Sequence, residues 1–240
     1  MAKCSLADKP TLDKSFVPTI GKRKRAVIWI GPPLCGKDTQ TERYERLGIP
    51  VMKMGPLLKA IAQSESADLV KTDISTGKLA DDSIAIWEAK KWIMRHITAP
   101  VLHLNGVPRT VSQLSIVKFL IEHGFDPIAV WFATTTETCL ARPMRLGREL
   151  EDTPQNRKIR IAEYVLKTLP MLPVLPEFGI STEKGNLVIV DNSKTEKHET
   201  GAIIANHLKL PDITPDLLFP EVSGGWFAVN RVLNGIPAKP

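Results

Sequence analysis

Cysteine and long apolar runs are scarce in this 240-residue sequence. Its three cysteines, Cys4, Cys35 and Cys139, are odd in number and widely spaced, so we expect neither a disulfide framework nor a zinc site. The apolar runs, such as 26–30 and 187–190, are far shorter than the roughly 20 residues that a membrane-spanning helix needs. The first residues also lack the apolar core of a secretory signal. These absences argue against an integral membrane protein and favour a cytoplasmic one.

The excess positive charge lies at the amino terminus. The sequence has 32 Lys and Arg against 26 Asp and Glu, a net charge of +6. Residues 1–25 hold seven bases and two acids, a net of +5, so the remaining 215 residues carry only +1. We interpret 1–25 as a basic, flexible arm, with nuclear targeting or nucleic-acid contact as the alternative. Nucleic acid is therefore not favoured as a partner of the body.

Strand patterns alternate with helical patterns along the chain. Continuous apolar segments, typical of strands buried on both faces, lie at 26–30, 101–104, 128–132 and 187–190. Helical patterns lie at 37–47, 111–123, 155–169 and 196–209, and residues 56–97 show no convincing strand. This alternation predicts an α/β fold, a parallel sheet flanked by helices. Residues 211–240, rich in Pro and Gly, are expected to form an extended tail.

Residues 31–39, Gly-Pro-Pro-Leu-Cys-Gly-Lys-Asp-Thr, fit the phosphate-binding pattern Gly-x4-Gly-Lys. They follow an apolar strand and open a helix, which is the context that such a loop requires. Glycines let backbone N–H groups converge on phosphate oxygens, and the helix amino terminus adds favourable dipole charge. A tight turn with an incidental lysine is the structural alternative. The candidate ATP-binding residues of this loop are Gly31, Pro32, Pro33, Leu34, Cys35, Gly36, Lys37, Asp38 and Thr39.

Two segments together resemble the adenylate kinases and related nucleoside monophosphate kinases. They are residues 36–40, Gly-Lys-Asp-Thr-Gln, and 105–113, Asn-Gly-Val-Pro-Arg-Thr-Val-Ser-Gln. The resemblance spans residues 26–210 and implies a P-loop NTPase-like fold that transfers a phosphoryl group from MgATP to a nucleoside monophosphate, with AMP as the favoured acceptor. It also implies Mg²⁺ held through waters near Thr39 and Asn105, without a direct ligand set and without zinc. The family usually has Gly in place of Leu34 and Asp38, and Asp in place of Asn105.

The acceptor side of the resemblance lies in 53–97, a helical insertion, and in the loop after the second predicted strand. In the family, the residue at Arg109 binds the acceptor phosphate and the residue at Gln113 hydrogen-bonds the adenine of AMP. Lys59 stands where the family has a phosphate-binding Arg, and Met54 where a Thr often touches the base. The implied acceptor-binding residues are Met54, Gly55, Lys59, Leu79, Ala80, Gly106, Arg109, Gln113, Arg148 and Arg160.

Residues 142–157 resemble the family's short lid, the type without a zinc insertion. The resemblance implies that Arg148 and Arg160 clamp the transferring phosphoryl group, and that Asp152, with Glu151, orients the arginines. A merely charged helix face is the alternative, and Arg157 could share the clamp. On the donor side the implied ATP contacts are Arg142 or Arg145, which would stack on the adenine, and Asn192. The implied catalytic set is Lys37, Arg109, Arg148, Arg160 and Asp152.

Two other functions stay open at this stage. One is a P-loop kinase for a different small acceptor, such as a nucleoside or a sugar acid. The other is a degenerate member that binds nucleotide with little or no turnover, which the departures at Leu34, Asp38, Lys59 and Asn105 favour. For the favoured function we expect a monomer whose partners are ATP and a nucleoside monophosphate.

Overall fold

The computed structural model describes residues 24–62, 81–143 and 152–208. Five parallel strands form one sheet there, in the order β2-β3-β1-β4-β5. Every neighbouring pair is parallel, and β1 lies between β3 and β4. The strands are β1 (Lys24–Ile30), β2 (Val51–Lys53), β3 (Val101–Asn105), β4 (Phe125–Phe132) and β5 (Leu187–Val190).

Helices connect the strands. They are α1 (Lys37–Arg46), α2 (Met54–Ala62), α3 (Asp82–Arg95), α4 (Ser115–Glu122), α5 (Thr136–Ala141), α6 (Pro154–Glu163) and α7 (Lys197–Leu208). A 3-10 turn, Ser112–Leu114, precedes α4. The chain after α6 widens into a π-helical turn, Tyr164–Thr168, and then tightens into 3-10 turns over Leu169–Phe178.

The sheet is buried on both faces because apolar side chains point to both sides of its central strand. Ala26, Ile28 and Ile30 pack into one cluster, shared with α2, α3, α4 and the turns before β5. Val27 and Trp29, which alternate with them, pack into a second cluster with residues of α1 and α7. A strand buried in this way needs apolar residues throughout, and the continuous run at 26–30 meets that need.

The predicted α/β fold with a parallel sheet is confirmed. The four predicted strands are present as β1, β3, β4 and β5. The fifth strand, β2, was not predicted, because its three residues are too few to show a pattern in the sequence. The short helix α5 was also not predicted. β1 begins at Lys24, so the last two residues of the expected arm belong to the sheet.

Several of the predicted features lie outside the described residues. These are most of the arm, the tail at 211–240, and the predicted site residues Leu79, Ala80, Arg145, Arg148 and Glu151. Among residues 24–62, 81–143 and 152–208, none of the helices is long and apolar enough to cross a membrane.

Because all five strands are parallel, their carboxyl ends meet at one edge of the sheet. From β1 the chain passes β3 to reach β2, and from β3 it passes β1 to reach β4. The connections from these two neighbouring strands therefore run in opposite directions, and this edge opens a crevice at β1. In open α/β sheets, ligands bind in such a crevice. The loop at 31–36 leaves the end of β1 directly into it.

Candidate active site

A cavity of about 620 Å³ lies at the carboxyl edge of the sheet. Its walls include segments that directly follow β1, β2, β3 and β5, and the segment that follows α5. Its lining includes these predicted site residues: Gly31, Pro33, Leu34, Cys35, Gly36, Lys37, Asp38, Thr39, Met54, Gly55, Asn105, Gly106, Arg109, Arg142, Asp152, Arg160 and Asn192. Pro32, Lys59 and Gln113 lie outside that lining. The fold thus collects the donor and the acceptor motifs at one place.

The loop between β1 and α1 has a backbone that favours glycine at both of its ends. Gly31 has a φ of 152°, and a Cβ there would lie 2.8 Å from the Cβ of Phe132. Gly36 has a φ of 97°, and a Cβ there would lie 3.4 Å from Asn192 Nδ2. Leu34 also takes a left-handed conformation, with a φ of 64°, although it carries a side chain. Positive φ angles at both positions, and the close contact at Gly31, explain why the loop has glycine there.

Lys37 folds back over this loop. Its Nζ donates to the carbonyl oxygens of Gly31 and Pro32, each at 2.7 Å, and contacts Cys35 Sγ at 3.2 Å. The ammonium group is therefore held at the centre of the loop, within the cavity wall. This position suits a positive charge that neutralises phosphate oxygens.

Arg142 and Asn192 tie the far side of the loop to the end of β5. Arg142 donates from Nη1 to the carbonyl of Leu34 at 2.8 Å and from Nη2 to the carbonyl of Asn192 at 3.2 Å. Asn192 Nδ2 donates to the carbonyl of Cys35 at 2.7 Å, and its Oδ1 accepts from the hydroxyl of Thr134 at 2.5 Å. The predicted donor-side residues therefore brace the phosphate-binding loop.

Asp38 and Asn105 meet across the cavity wall. Asn105 lies at the end of β3 and is 5% exposed, and its Nδ2 donates to Asp38 Oδ1 at 2.7 Å. The same amide nitrogen lies 3.3 Å from Thr41 Oγ1, and the Thr41 hydroxyl donates to the Asp38 carbonyl at 3.1 Å. Two of the departures from the family pattern are thus direct partners.

Arg109 and Gln113 belong to a second polar network behind the acceptor side. The N–H of Arg109 donates to Gln113 Oε1 at 2.8 Å, and Gln113 Nε2 donates to Asp82 Oδ1 at 2.7 Å. Thr168 Oγ1 donates to the Arg109 carbonyl at 2.9 Å. Gln113 is 2% exposed, so its amide holds the loop of Arg109 to the start of α3.

Arg109 lines the cavity, and its burial disfavours the charged form of the guanidinium. Burial and the nearby Arg160 lower the pKa of Arg109 to about 10, and the Asp38 carboxylate opposes part of that shift. At neutral pH the side chain remains protonated. Arg109 is therefore a charged, largely desolvated side chain in the same cavity as Lys37.

A buried carboxylate supports the remaining arginines. Asp152 is 2% exposed and accepts from Arg157 Nη2 at 3.0 Å and from Arg160 Nη1 at 3.3 Å. Arg157 also donates to the carbonyl of Arg142 at 2.8 Å. Of the two arginines, Arg160 lines the cavity and Arg157 does not. Arg157 thus holds Asp152 from outside the cavity lining.

Comparisons with known proteins agree with this geometry. A family model described as an AAA domain matches residues 30–160. The adenylate kinase of Rhizobium meliloti (strain 1021) is 32% identical over 159 residues, which cover 60% of this chain and 83% of the relative. The adenylate kinase of Kocuria rhizophila is 28% identical over 188 residues, 75% of this chain and 96% of the relative. The chain belongs to the adenylate kinase family. It is accordingly a nucleotide-binding kinase of the phosphoryl-transfer type.

The cavity of this adenylate kinase family member has walls that sequence reasoning missed. Lys53 and Pro56 flank the end of β2, whose three residues left no pattern to find. The cavity wall also includes three residues after β5, namely Thr195, Lys197 and Thr200. The pattern of alternating strands and helices predicted the helix there, α7, but did not mark these residues as part of the site. The carbonyl of Lys197 accepts from Gln40 Nε2 at 2.7 Å, which joins α7 to α1.

Within residues 24–62, 81–143 and 152–208, no group of three or more His, Cys, Asp and Glu side chains could hold a metal ion. The side chains with oxygen atoms near the start of α1 in the cavity wall include the Asp38 carboxylate, the Asn105 amide and the Thr39 hydroxyl. These are hard oxygen donors, which suit Mg²⁺ better than a soft metal. The donor set therefore fits a magnesium ion that keeps most of its waters.

Proposed function

We propose that this protein catalyses the reversible transfer of a phosphoryl group from MgATP to a nucleoside monophosphate, with AMP as the acceptor. The observation that supports this most is that Lys37, Arg109 and Arg160 face one cavity at the end of β1. They come from three separate parts of the chain. Phosphoryl transfer needs positioning and charge neutralisation more than covalent chemistry, and such convergence supplies both.

The donor phosphates would lie on the loop at 31–36. Its two glycines have positive φ angles, which allow backbone N–H groups to converge on a phosphate, and the amino terminus of α1 adds positive dipole charge. Lys37 would exchange its bonds to the carbonyls of Gly31 and Pro32 for phosphate oxygens. Arg142 and Asn192 would keep the loop in shape while that exchange occurs.

The acceptor phosphate would lie between Arg109 and Arg160. A guanidinium is planar, stays protonated at neutral pH and can bind two phosphate oxygens at once. Asp152 would hold Arg160 in place, with Arg157 bonded to its second oxygen. With Met54 and Gly55 in the wall beside Arg109, the base would lie against the start of α2.

Mg²⁺ would enter with ATP, and Thr39 and Asn105 would contact it through its waters. When bound, the ion supplies positive charge to the phosphate oxygens between donor and acceptor. Asn105 is held by Asp38 and Thr41, so its side chain is oriented before nucleotide binds. We also expect a monomer in the cytoplasm.

The test is a coupled assay that supplies MgATP with AMP, CMP, UMP, GMP or dTMP in separate reactions. We expect diphosphate product, fastest with AMP, and loss of it in the Lys37→Met variant, which removes the loop's cation. A lack of diphosphate with all five acceptors would refute the proposal. The same panel, extended to nucleosides and sugar acids, tests the alternative of a kinase for another small acceptor.

The alternative of a degenerate member is favoured by Leu34, Asp38, Lys59 and Asn105, where this chain departs from the family pattern. Calorimetry that detects ATP binding in the absence of any turnover would support it. In that case the double change Asn105→Asp and Lys59→Arg is expected to raise activity if those two departures cause the loss. Two of these four departures, Asp38 and Asn105, are hydrogen-bonded to each other, so the effect of one depends on the other.

A further inference from the structure

Compared with the family pattern, this chain has an extra carboxylate at Asp38 and lacks one at Asn105. Their side chains are joined at 2.7 Å, nitrogen to oxygen, and both line the cavity. An amide nitrogen is a donor and a carboxylate an acceptor, so the pair is attractive as it stands. With Asp at both positions, two carboxylates would share this site, and repulsion would raise the pKa of one of them. The neutral residue at 105 is therefore what the charge at 38 requires.

The charge of Asp38 would lie close to a phosphate bound on the loop. Asp38 immediately follows Lys37, in the first turn of the helix whose amino terminus would carry phosphate. A carboxylate beside phosphate oxygens is unfavourable unless a positive charge lies between them. Arg109 feels the Asp38 carboxylate, since that charge opposes the fall in the Arg109 pKa. The donor set at this corner suits a second cation, a hydrated Mg²⁺.

We propose that the carboxylate that faces the magnesium ion has moved from β3 to α1 in this chain. Asp38 accepts hydrogen bonds from the waters of the ion that accompanies the nucleotide, and Asn105 orients Asp38. The two departures from the family pattern are then one exchange that leaves a single carboxylate at this corner. This inference rests on the proposed function, because it assumes a nucleotide bound with Mg²⁺ on the loop at 31–36.

The test measures metal binding and needs no turnover. Mn²⁺ is titrated into the full-length protein saturated with ADP, and free Mn²⁺ is followed by its electron paramagnetic resonance signal. The variants are Asp38→Asn and the exchange Asp38→Asn with Asn105→Asp, which keeps both the charge and the number of atoms. Glu42→Gln is the matched control, because Glu42 lies one turn further on α1 and lines the same cavity.

For Asp38→Asn we expect the Mn²⁺ affinity of the ADP complex to fall by about tenfold, the effect of losing a group that orients a metal's ligands. In EDTA, ADP should bind this variant as tightly as the wild type or more tightly, because repulsion between carboxylate and phosphate is relieved. The exchange variant should recover Mn²⁺ affinity to within about threefold of wild type. Glu42→Gln should lower it by no more than about threefold.

Three results would overturn the inference. One is unchanged Mn²⁺ affinity in Asp38→Asn, and another is an equal loss in Glu42→Gln, which would indicate bulk charge alone. The third is no recovery in an exchange variant that melts at the wild-type temperature. Diphosphate formation by the wild type together with unchanged Mn²⁺ affinity in Asp38→Asn refutes this inference and leaves the proposed function standing. Absence of diphosphate with every acceptor refutes the proposed function without affecting the metal titration.

Discussion

Leu34 shows how a single residue can carry strain at the phosphate-binding loop. Its φ of 64° lies in the left-handed region, which costs a residue with a Cβ roughly 1–2 kcal/mol. The carbonyl of Leu34 accepts a hydrogen bond from Arg142, and its side chain packs partly on the apolar cluster around Trp29. This hydrogen bond and this packing offset the strain of the Leu34 backbone.

We predict that the Leu34→Gly variant is about 1 kcal/mol more stable than Leu34→Ala. Both changes remove the leucine packing, but only glycine removes the cost of the left-handed backbone. Urea denaturation of the two variants, each compared with the wild type, measures the difference. An alanine variant equal to or more stable than the glycine variant would show that the backbone strain at 34 is negligible.

His103 is a second residue whose environment sets a measurable property. It is fully buried in β3, its ring lies 4.3 Å from that of Tyr44 between centroids, and Trp29 Nε1 donates to its Nδ1 at 3.1 Å. The neutral ring then carries its proton on Nε2, which has no hydrogen-bond partner within the described residues. Burial lowers the pKa of His103 to about 3.

This histidine should make folding stability depend on pH. Its pKa is near 6.5 in the unfolded chain and about 3 in the folded one, so between those values the unfolded chain binds the extra proton. Stability from this group is complete above pH 6.5 and falls by up to about 1.4 kcal/mol per pH unit as the pH drops below that value. Urea denaturation from pH 7.5 to 5 should show this slope.

The His103→Gln variant provides the comparison, because glutamine keeps a hydrogen-bond acceptor for Trp29 and cannot be protonated in this range. Its free energy of unfolding is expected to be lower at pH 7.5 but to change less below pH 6.5. Parallel curves for wild type and variant would mean that His103 is not the group responsible.

At the scale of elements, Asp82 joins the start of α3 to the loop and 3-10 turn before α4. Its carboxylate accepts from Thr110 Oγ1 at 2.8 Å, from Gln113 Nε2 at 2.7 Å and from the hydroxyl of Ser112. Gln113 passes this connection to the backbone of Arg109. The geometry favours Gln113 as a positioning residue, whereas the family resemblance implies that it contacts adenine, and that role stays a prediction.

We predict that Gln113→Leu lowers kcat/KM by about tenfold for every monophosphate that is a substrate. Leucine has a similar volume but supports neither hydrogen bond, so the loop of Arg109 loses an anchor that does not depend on the base. The matched control is Ser112→Ala, which removes a bond to the same carboxylate without touching Arg109. It should cost much less.

Steady-state kinetics with AMP and a second acceptor distinguish the two roles of Gln113. A loss confined to AMP would assign it to the base, as the resemblance implies. Equal losses in Gln113→Leu and Ser112→Ala would instead mean that Asp82, and not the bond to Arg109, is what matters.

At the scale of the whole molecule, the structure changes how the charge is divided. Lys24 Nζ donates to the carbonyl of Ile97 at 3.0 Å, and Arg25 Nη1 to that of Leu208 at 2.7 Å. Both belong to β1 and are anchored to the body. Residues 1–23 then hold five bases and two acids, so each of the two parts, 1–23 and 24–240, carries a net +3.

We predict that removal of residues 1–23 leaves kcat and KM within about twofold of the full-length values, as expected when no active-site group is lost. The reason is that, among the described residues, those that line the cavity run from Trp29 to Thr200, and none of these is removed. The control is removal of residues 1–25, which also deletes the first two residues of β1 and should lower the melting temperature. A large loss of activity in the shorter deletion, without a change in melting temperature, would assign residues 1–23 to the site.

The phosphate-binding loop and the sheet could be predicted because their signals are local. A strand buried on both faces needs a continuous apolar run, and a loop that turns N–H groups toward phosphate needs its glycines at set positions. The same holds for the loop at 106–110, which follows β3. β2 and the walls it contributes could not be found, because three residues carry no periodicity.

The sequence by itself determined the fold class, the phosphate-binding loop and the order of the charged motifs, since each depends on neighbours along the chain. Only the tertiary structure decided which of those groups meet. It paired Asp38 with Asn105, turned Gln113 toward Asp82, and separated Arg160 in the cavity from Arg157 behind it. Such pairings join residues on different elements, and their distances depend on how helices pack on the sheet.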